Sequence, residues 1–233
     1  MEKKELILGI DDAGRGPVIG PMVLAGCLID KETESEFKEI GITDSKLLYR
    51  KKRTRLCKKI KESAIAYHTH SISPAEIDTG MGIGLNLNEV EALAASIIIK
   101  ELTKKLSSED KRNLNIIIDC PSVNNGAWHT HVTKYLKTNS FNIRCEHKAD
   151  RDHIAVAAAS IIAKVTRDGE IEKLKKKIEL DFGSGYPSDP KTKDFLKKHI
   201  NEFKDIHLFR ESWATFEHAK ENFKVRQSKL PDY

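Results

Sequence analysis

Apolar residues run almost unbroken from Leu6 to Asp11 and again from Met22 to Ile29, and each run predicts a strand covered on both faces. Between them lies a glycine-rich turn, Gly14-Arg15-Gly16-Pro17. Residues 31–42 read as a charged connection. Thr43-Asp44-Ser45-Lys46 offers an Asp or Ser helix cap, with a basic helix continuing to about Ser63. Ala64–Ile72 alternates polar and apolar side chains as a third strand does. Ser73-Pro74 opens a short helix, with proline in the first turn. Gly80-Met81-Gly82-Ile83-Gly84 reads as a flexible segment. Apolar spacing at Val90, Leu93, Ala94, Ile97, Ile98 and Leu102 predicts a helix over Asn88–Leu106. Asn115–Cys120 is a short buried strand that Pro121 stops.

A helix over Trp128–Lys137 and a fifth strand over Phe141–His147 follow. His153–Leu180 reads as one long helix whose alanine-rich start allows close packing on a sheet. The glycines and prolines of residues 182–190 mark a loop. Further helices are predicted at 191–202 and 211–224, before a polar tail. Strands followed by alternating helices and strands indicate an α/β or α+β sheet with helices on its faces. Helices dominate after about residue 150, which points to a C-terminal helical extension.

The 233 residues allow one good core with a small appended part. No apolar run is long enough to span a membrane, and the polar start lacks the apolar core of a signal peptide, so a cytoplasmic protein is expected. Cys27, Cys57, Cys120 and Cys145 are scattered without a Cys-x-x-Cys pair and read as reduced core residues. A net charge of +5 permits nucleic-acid binding without requiring it. The cluster Lys46, Arg50, Lys51, Lys52, Arg53 and Arg55 fits a phosphate-facing surface or a solvated helix face.

Asp11, Asp119 and Asp150 each end an apolar strand or stand just past one, and Asp12 adjoins the first. Strand ends of a covered sheet are where ligands bind. Carboxylates gathered there repel and raise one another's pKa values unless a cation intervenes. All-oxygen donors favour Mg²⁺ or Mn²⁺ over Zn²⁺. Two such ions can activate water and stabilise the leaving oxygen of a phosphodiester. A charged hairpin rim is the competing reading, and the sequence does not by itself bring the four residues together.

Several segments resemble the ribonuclease HII family (type 2 ribonucleases H) in its archaeal and eukaryotic-like form. They are residues 9–17 (Gly-Ile-Asp-Asp-Ala-Gly-Arg-Gly-Pro), Thr43-Asp44-Ser45-Lys46, Ile118-Asp119-Cys120-Pro121, His147-Lys148-Ala149-Asp150, residues 158–168 and residues 183–190. Glu211-Ser212-Trp213 is similar to the family's C-terminal helical region. The resemblance implies an RNase H-like α/β fold, a central mixed five-stranded sheet flanked by helices. It divides the chain into a catalytic domain at 1–180, a helical extension at 181–226 packed on it, and a tail at 227–233.

The activity implied is two-metal hydrolysis on the 5′ side of a ribonucleotide, in RNA–DNA hybrids or at ribonucleotides embedded in duplex DNA, leaving 5′-phosphate and 3′-hydroxyl ends. Asp11, Asp12, Asp119 and Asp150 would hold Mg²⁺ or Mn²⁺. Gly14, Arg15 and Gly16 would read the ribose 2′-hydroxyl, the group that separates RNA from DNA. Tyr186 would pack on a nucleotide sugar. Ser45 and Lys46 resemble phosphate-contacting residues. Lys148 and Lys164 fit either phosphate contacts or partners of the carboxylates. A monomer is expected.

The chain departs from the family's pattern at Asp12, where the family normally has Glu. The side chain reaches one methylene less, about 1.5 Å. At the C-terminus, Gln227, Leu230 and Tyr233 have the spacing of a peptide that replication enzymes insert into a sliding clamp; a frayed polar tail is the competing reading. Two other functions stand beside the nuclease: a metal-impaired, non-catalytic nucleic-acid-binding protein on the same fold, and an ATPase-like protein. The retention of a carboxylate at all four positions weighs against the first. The absence of a Gly-x-x-x-x-Gly-Lys-Ser/Thr loop weighs against the second.

Overall fold

The two long apolar runs fold as the central antiparallel pair of a sheet. The structure, a computed structural model, describes residues 5–43, 48–121, 125–138, 140–203 and 205–227. Strands β1 (Leu6–Ala13), β2 (Met22–Asp30), β3 (Ala66–Ile72), β4 (Leu114–Asp119) and β5 (Asn142–Glu146) form one sheet in the order β3-β2-β1-β4-β5. β1 is antiparallel to β2 and parallel to β4, and β4 is parallel to β5. The sheet is therefore mixed, as expected, and every residue of β2 is buried.

The helices in chain order are α1 (Lys31–Glu39), α2 (Arg50–Ser63), α3 (Pro74–Gly82), α4 (Leu87–Thr103), α5 (Ser108–Arg112), α6 (Asn125–Leu136), α7 (Ala149–Asp152), α8 (Ile154–Ile178), α9 (Pro190–His199) and α10 (Ala214–Gln227). The chain divides into two compact units. One comprises the described residues of Met1–Ala13, Val23–Ser71 and Leu87–Arg167, and the other those of Gly14–Met22, Ile72–Asn86 and Asp168–Tyr233.

Within the first unit, glycines decide how closely helices approach the sheet. A Cβ on Gly9 would lie 2.1 Å from the Ala155 carbonyl carbon, so β1 and α8 meet backbone to backbone. Gly9 pairs with Cys27 across β1 and β2, and Cys27 shares a core cluster with Ala155, Ala158, Ala159 and Ile162 of α8. Gly26 pairs with Ile10 on the opposite face, where a Cβ would strike Ile98 and Leu102 of α4. The sheet is thus covered by α8 on one face and α4 on the other, and α6 packs against α4. All four cysteines are buried free thiols, and burial pushes Cys27 up to about 12. Among the described residues no helix is long and apolar enough to cross a membrane.

In the second unit, Phe182, Phe195, Leu208, Phe209 and Phe216 gather with Val18 and Ile19 in a core of their own. Ile19 bridges Phe209 in antiparallel fashion.

Several local expectations need correction. Residues 31–39 form helix α1: the Asp30 carboxylate caps it by accepting from the Thr33 N–H at 2.9 Å, and Phe37 is fully buried. Helix α2 begins at Arg50 behind Tyr49, without a side-chain cap, and the expected caps Asp44 and Ser45 lie outside the described residues. The glycine-rich stretch from Gly80 is helical as far as Gly82, and Gly80 is buried. That helix is α3, which opens as expected: the Ser73 hydroxyl accepts from the Glu76 N–H, and the Glu76 carboxylate accepts from the Ser73 N–H. The single-turn α5 and α7 have no counterpart in the apolar pattern.

Candidate active site

Because successive side chains of a strand point to opposite faces, Asp11 falls on the Gly9 face, toward α8, and Asp12 on the Ile10 face, toward α4. β1 ends beside β4, whose last residue is Asp119. Ile10, Asp11, Asp12, Leu24, Glu91, Ile118, Asp119, Pro121 and Trp128 line one small cavity of about 10 Å³, space for about one water. Three of the four expected carboxylates therefore border the same cavity.

Asp150 is not among the lining residues. It is buried, 2% exposed, on the one-turn helix α7. The Ala149 N–H, one residue before it, donates to Asp119 Oδ1 at 2.6 Å. Lys148 caps that helix in the left-handed conformation, φ 62°, which a non-glycine residue adopts only under constraint. Its side chain is exposed.

Asp11 is 6% exposed. Burial first, then the charges of Asp12 and Asp119, raise its pKa well above the ordinary value. Two hydrogen bonds oppose this: one from Ser160, and one at 2.7 Å from the Asp12 N–H to Asp11 Oδ1. Lys164 Nζ donates to Ser160 Oγ at 3.3 Å.

The donor set is hard oxygen throughout, and the crowding of Asp11 by two like charges is what a divalent cation relieves. In charge and donor type the residues fit Mg²⁺ or Mn²⁺. Among the described residues, no three His, Cys, Asp or Glu side chains are already gathered closely enough to hold a metal ion.

The Gly14-Arg15-Gly16 loop belongs to the second unit. Gly14 has φ 91°, a conformation that side-chain-bearing residues rarely adopt. A Cβ on Gly16 would lie 3.6 Å from Tyr186 Cε1, so Gly16 stands against the Tyr186 ring, which is 40% exposed. The Tyr186 loop is held by Asp189, whose carboxylate accepts from the Ser184 N–H and hydroxyl and from the Lys191 N–H. Those bonds lower the Asp189 pKa. Ser45, Lys46, Leu230 and Tyr233 lie outside the described residues; Gln227 is the last residue of α10.

Two residues escaped the sequence reading. Glu91, 1% exposed, reaches the aspartate cavity from α4. A signal existed, since Glu91 shares a helical face with the buried Ala94, Ala95, Ile98 and Leu102. Arg210, fully buried, donates to the carbonyls of Gly14, Arg15 and Gly20. Nothing in the local pattern marks an arginine whose partners lie nearly the whole chain away.

A mixed sheet covered by helices on both faces, with acidic residues at the ends of adjacent strands, defines an RNase H-like enzyme. The ribonuclease H2 structure from Pyrococcus horikoshii superposes with a TM-score of 0.80 at 36% identity, over 94% of this chain and 99% of that one. A structure of the PCNA:RNase HII complex from Archaeoglobus fulgidus matches with a TM-score of 0.76 at 34% identity, over 89% and 95% of the two chains. The ribonuclease HII of Methanosarcina barkeri is 41% identical over 234 residues, covering 96% of this chain and 99% of that protein. The Ribonuclease HII family model matches residues 8–216, and the chain belongs to that family. It is a ribonuclease H, an endonuclease of a divalent-metal-dependent hydrolase family.

Proposed function

We propose that this enzyme hydrolyses the phosphodiester on the 5′ side of a ribonucleotide, in RNA–DNA hybrids and at ribonucleotides embedded in duplex DNA, leaving 5′-phosphate and 3′-hydroxyl ends. The observation that carries this reading is the crowding of the buried Asp11 by Asp12 and Asp119 at the ends of β1 and β4. Asp11, Asp12, Asp119 and Asp150 hold the divalent cations. When bound, two such ions supply Lewis-acid polarisation of the phosphate and a nucleophilic water.

The chain's own groups do the rest. Ser160 and Lys164 steady the Asp11 carboxylate. The Ala149 N–H fixes Asp119. The Gly14–Gly16 backbone takes the ribose 2′-hydroxyl, and Tyr186 packs on the sugar. Ser45, Lys46 and Lys148 meet phosphates. Gln227, Leu230 and Tyr233 serve as a clamp-binding peptide; the complex of the Archaeoglobus fulgidus relative with PCNA supports this.

Cleavage of an RNA–DNA hybrid by the wild type and by Asp11→Asn and Asp150→Asn, in Mg²⁺ and in Mn²⁺, tests the site. Each variant is expected to lose on the order of 10²-fold or more in rate. Unchanged rates would refute the assignment. Wild-type binding without cleavage would favour a non-catalytic nucleic-acid-binding protein. Deleting residues 227–233 is expected to abolish clamp binding while sparing cleavage.

A further inference from the structure

Arg210 has no exposed surface. A buried guanidinium is costly unless its donors are used. Here they converge on one loop. Nη2 donates to the Gly14 carbonyl at 2.6 Å and to the Gly20 carbonyl at 3.0 Å, Nη1 to the Arg15 carbonyl at 2.8 Å, and Nε to the Gly20 carbonyl at 3.1 Å. The guanidinium lies over the Trp213 ring, 5.0 Å from its centroid. The Arg210 N–H in turn donates to the Val18 carbonyl at 2.9 Å.

In a trans peptide the C=O and N–H point in opposite directions, and the described backbone contains no cis peptide. Carbonyls of Gly14 and Arg15 drawn to Arg210 therefore put the N–H groups of Arg15 and Gly16 on the far side. Two successive N–H groups presented together make a seat for an oxygen atom. Gly16 stands against Tyr186, so the seat lies beside an aromatic ring.

We propose that Arg210 is a positioning residue that sets the direction of the Arg15 and Gly16 amides, and so the preference for a ribose 2′-hydroxyl over deoxyribose. The proposal rests on the reading of Gly14–Gly16 as the ribose-sensing loop. It names the residue that makes that loop selective without touching the substrate. Arginine is needed because its planar fork serves several carbonyls at once, whereas lysine donates from a single point.

The test is binding of the full-length protein, in chelator so that no turnover occurs, to two duplexes of one sequence. One is all DNA and the other carries a single ribonucleotide. Fluorescence anisotropy gives the affinity ratio for the wild type, Arg210→Met and Arg210→Lys, with circular dichroism to confirm folding. The wild type is expected to prefer the ribonucleotide duplex. Arg210→Met is expected to lose that preference by about tenfold, the worth of one well-placed hydrogen bond, while keeping its affinity for all-DNA duplex. Arg210→Lys is expected to lose part of it, and it decides the matter if the Met variant does not fold. A wild-type preference retained in full by the folded variants would overturn the role of Arg210. No preference in the wild type would overturn the ribose-sensing reading and this proposal with it.

Discussion

The Ala149 N–H donates to Asp119 Oδ1 at 2.6 Å, and that bond ties the end of β4 to the short helix carrying Asp150. Asp119 thus has two duties, as a negative charge at the site and as a hydrogen-bond acceptor that places the next acidic residue. Asp119→Asn keeps an acceptor oxygen and removes the charge, whereas Asp119→Ala removes both. Cleavage is expected to fail in both variants. Both variants give up the charge, but only the Ala variant leaves the Ala149 N–H without this acceptor, and it should be the less stable of the two by about 0.5–1.5 kcal/mol, the worth of a neutral hydrogen bond. Urea unfolding of the two variants separates the duties; equal losses would show that the bond contributes nothing to the fold.

Asp11 makes the metal-free protein less stable than it could be. Its folded pKa is raised, chiefly by burial and then by Asp12 and Asp119. The folded state therefore holds the proton more tightly than the unfolded chain does. Stability falls as pH rises from the ordinary aspartate value of 3.8 through the raised folded value, and the full penalty stands above it. Asp11→Asn removes the penalty. Thermal melts in chelator are expected to show the variant melting higher than wild type near neutral pH, with the gap closing below the ordinary value. A variant that melts lower at neutral pH would contradict this origin of the shift.

Asp12 tests reach. Mg²⁺ demands tighter octahedral geometry than softer alternatives such as Mn²⁺ tolerate, so a carboxylate one methylene short is expected to serve Mn²⁺ better. Asp12→Glu should raise the Mg²⁺-dependent rate more than the Mn²⁺-dependent one. A variant no faster in Mg²⁺ would show that the local backbone already compensates.

Gly9→Ala addresses the scaffold under Asp11. The added methyl would sit 2.1 Å from a backbone carbon of Ala155, and no side chain can move aside to admit it. The expected cost is at least about 3 kcal/mol, the upper end for overpacking. Denaturant unfolding measures it, and a loss well under that would mean that β1 and α8 part easily.

What the sequence disclosed followed from how local each cause is. β1, β2 and β4 were legible because strands buried on both faces leave continuous apolar runs, and Asp11 and Asp119 were legible because they end such runs. Helix α1 was not. Its residues are mostly charged, and what makes it a helix is the Asp30 cap with the single buried Phe37. The start of α2 is not legible, because Tyr49 at its N-cap offers no capping side chain. In the site, Glu91 was visible only as an acid on an apolar face. Arg210 was invisible, since its partners Gly14 and Gly20 are about 190 residues away in the chain.

The central claim is tested most directly by incubating duplex DNA that contains one ribonucleotide with the enzyme and Mg²⁺ or Mn²⁺, and mapping the cut at nucleotide resolution. The expected result is a single incision on the 5′ side of the ribonucleotide, with 5′-phosphate and 3′-hydroxyl ends, lost in Asp11→Asn. An incision elsewhere, cleavage of the all-DNA control, or full activity in Asp11→Asn would contradict it.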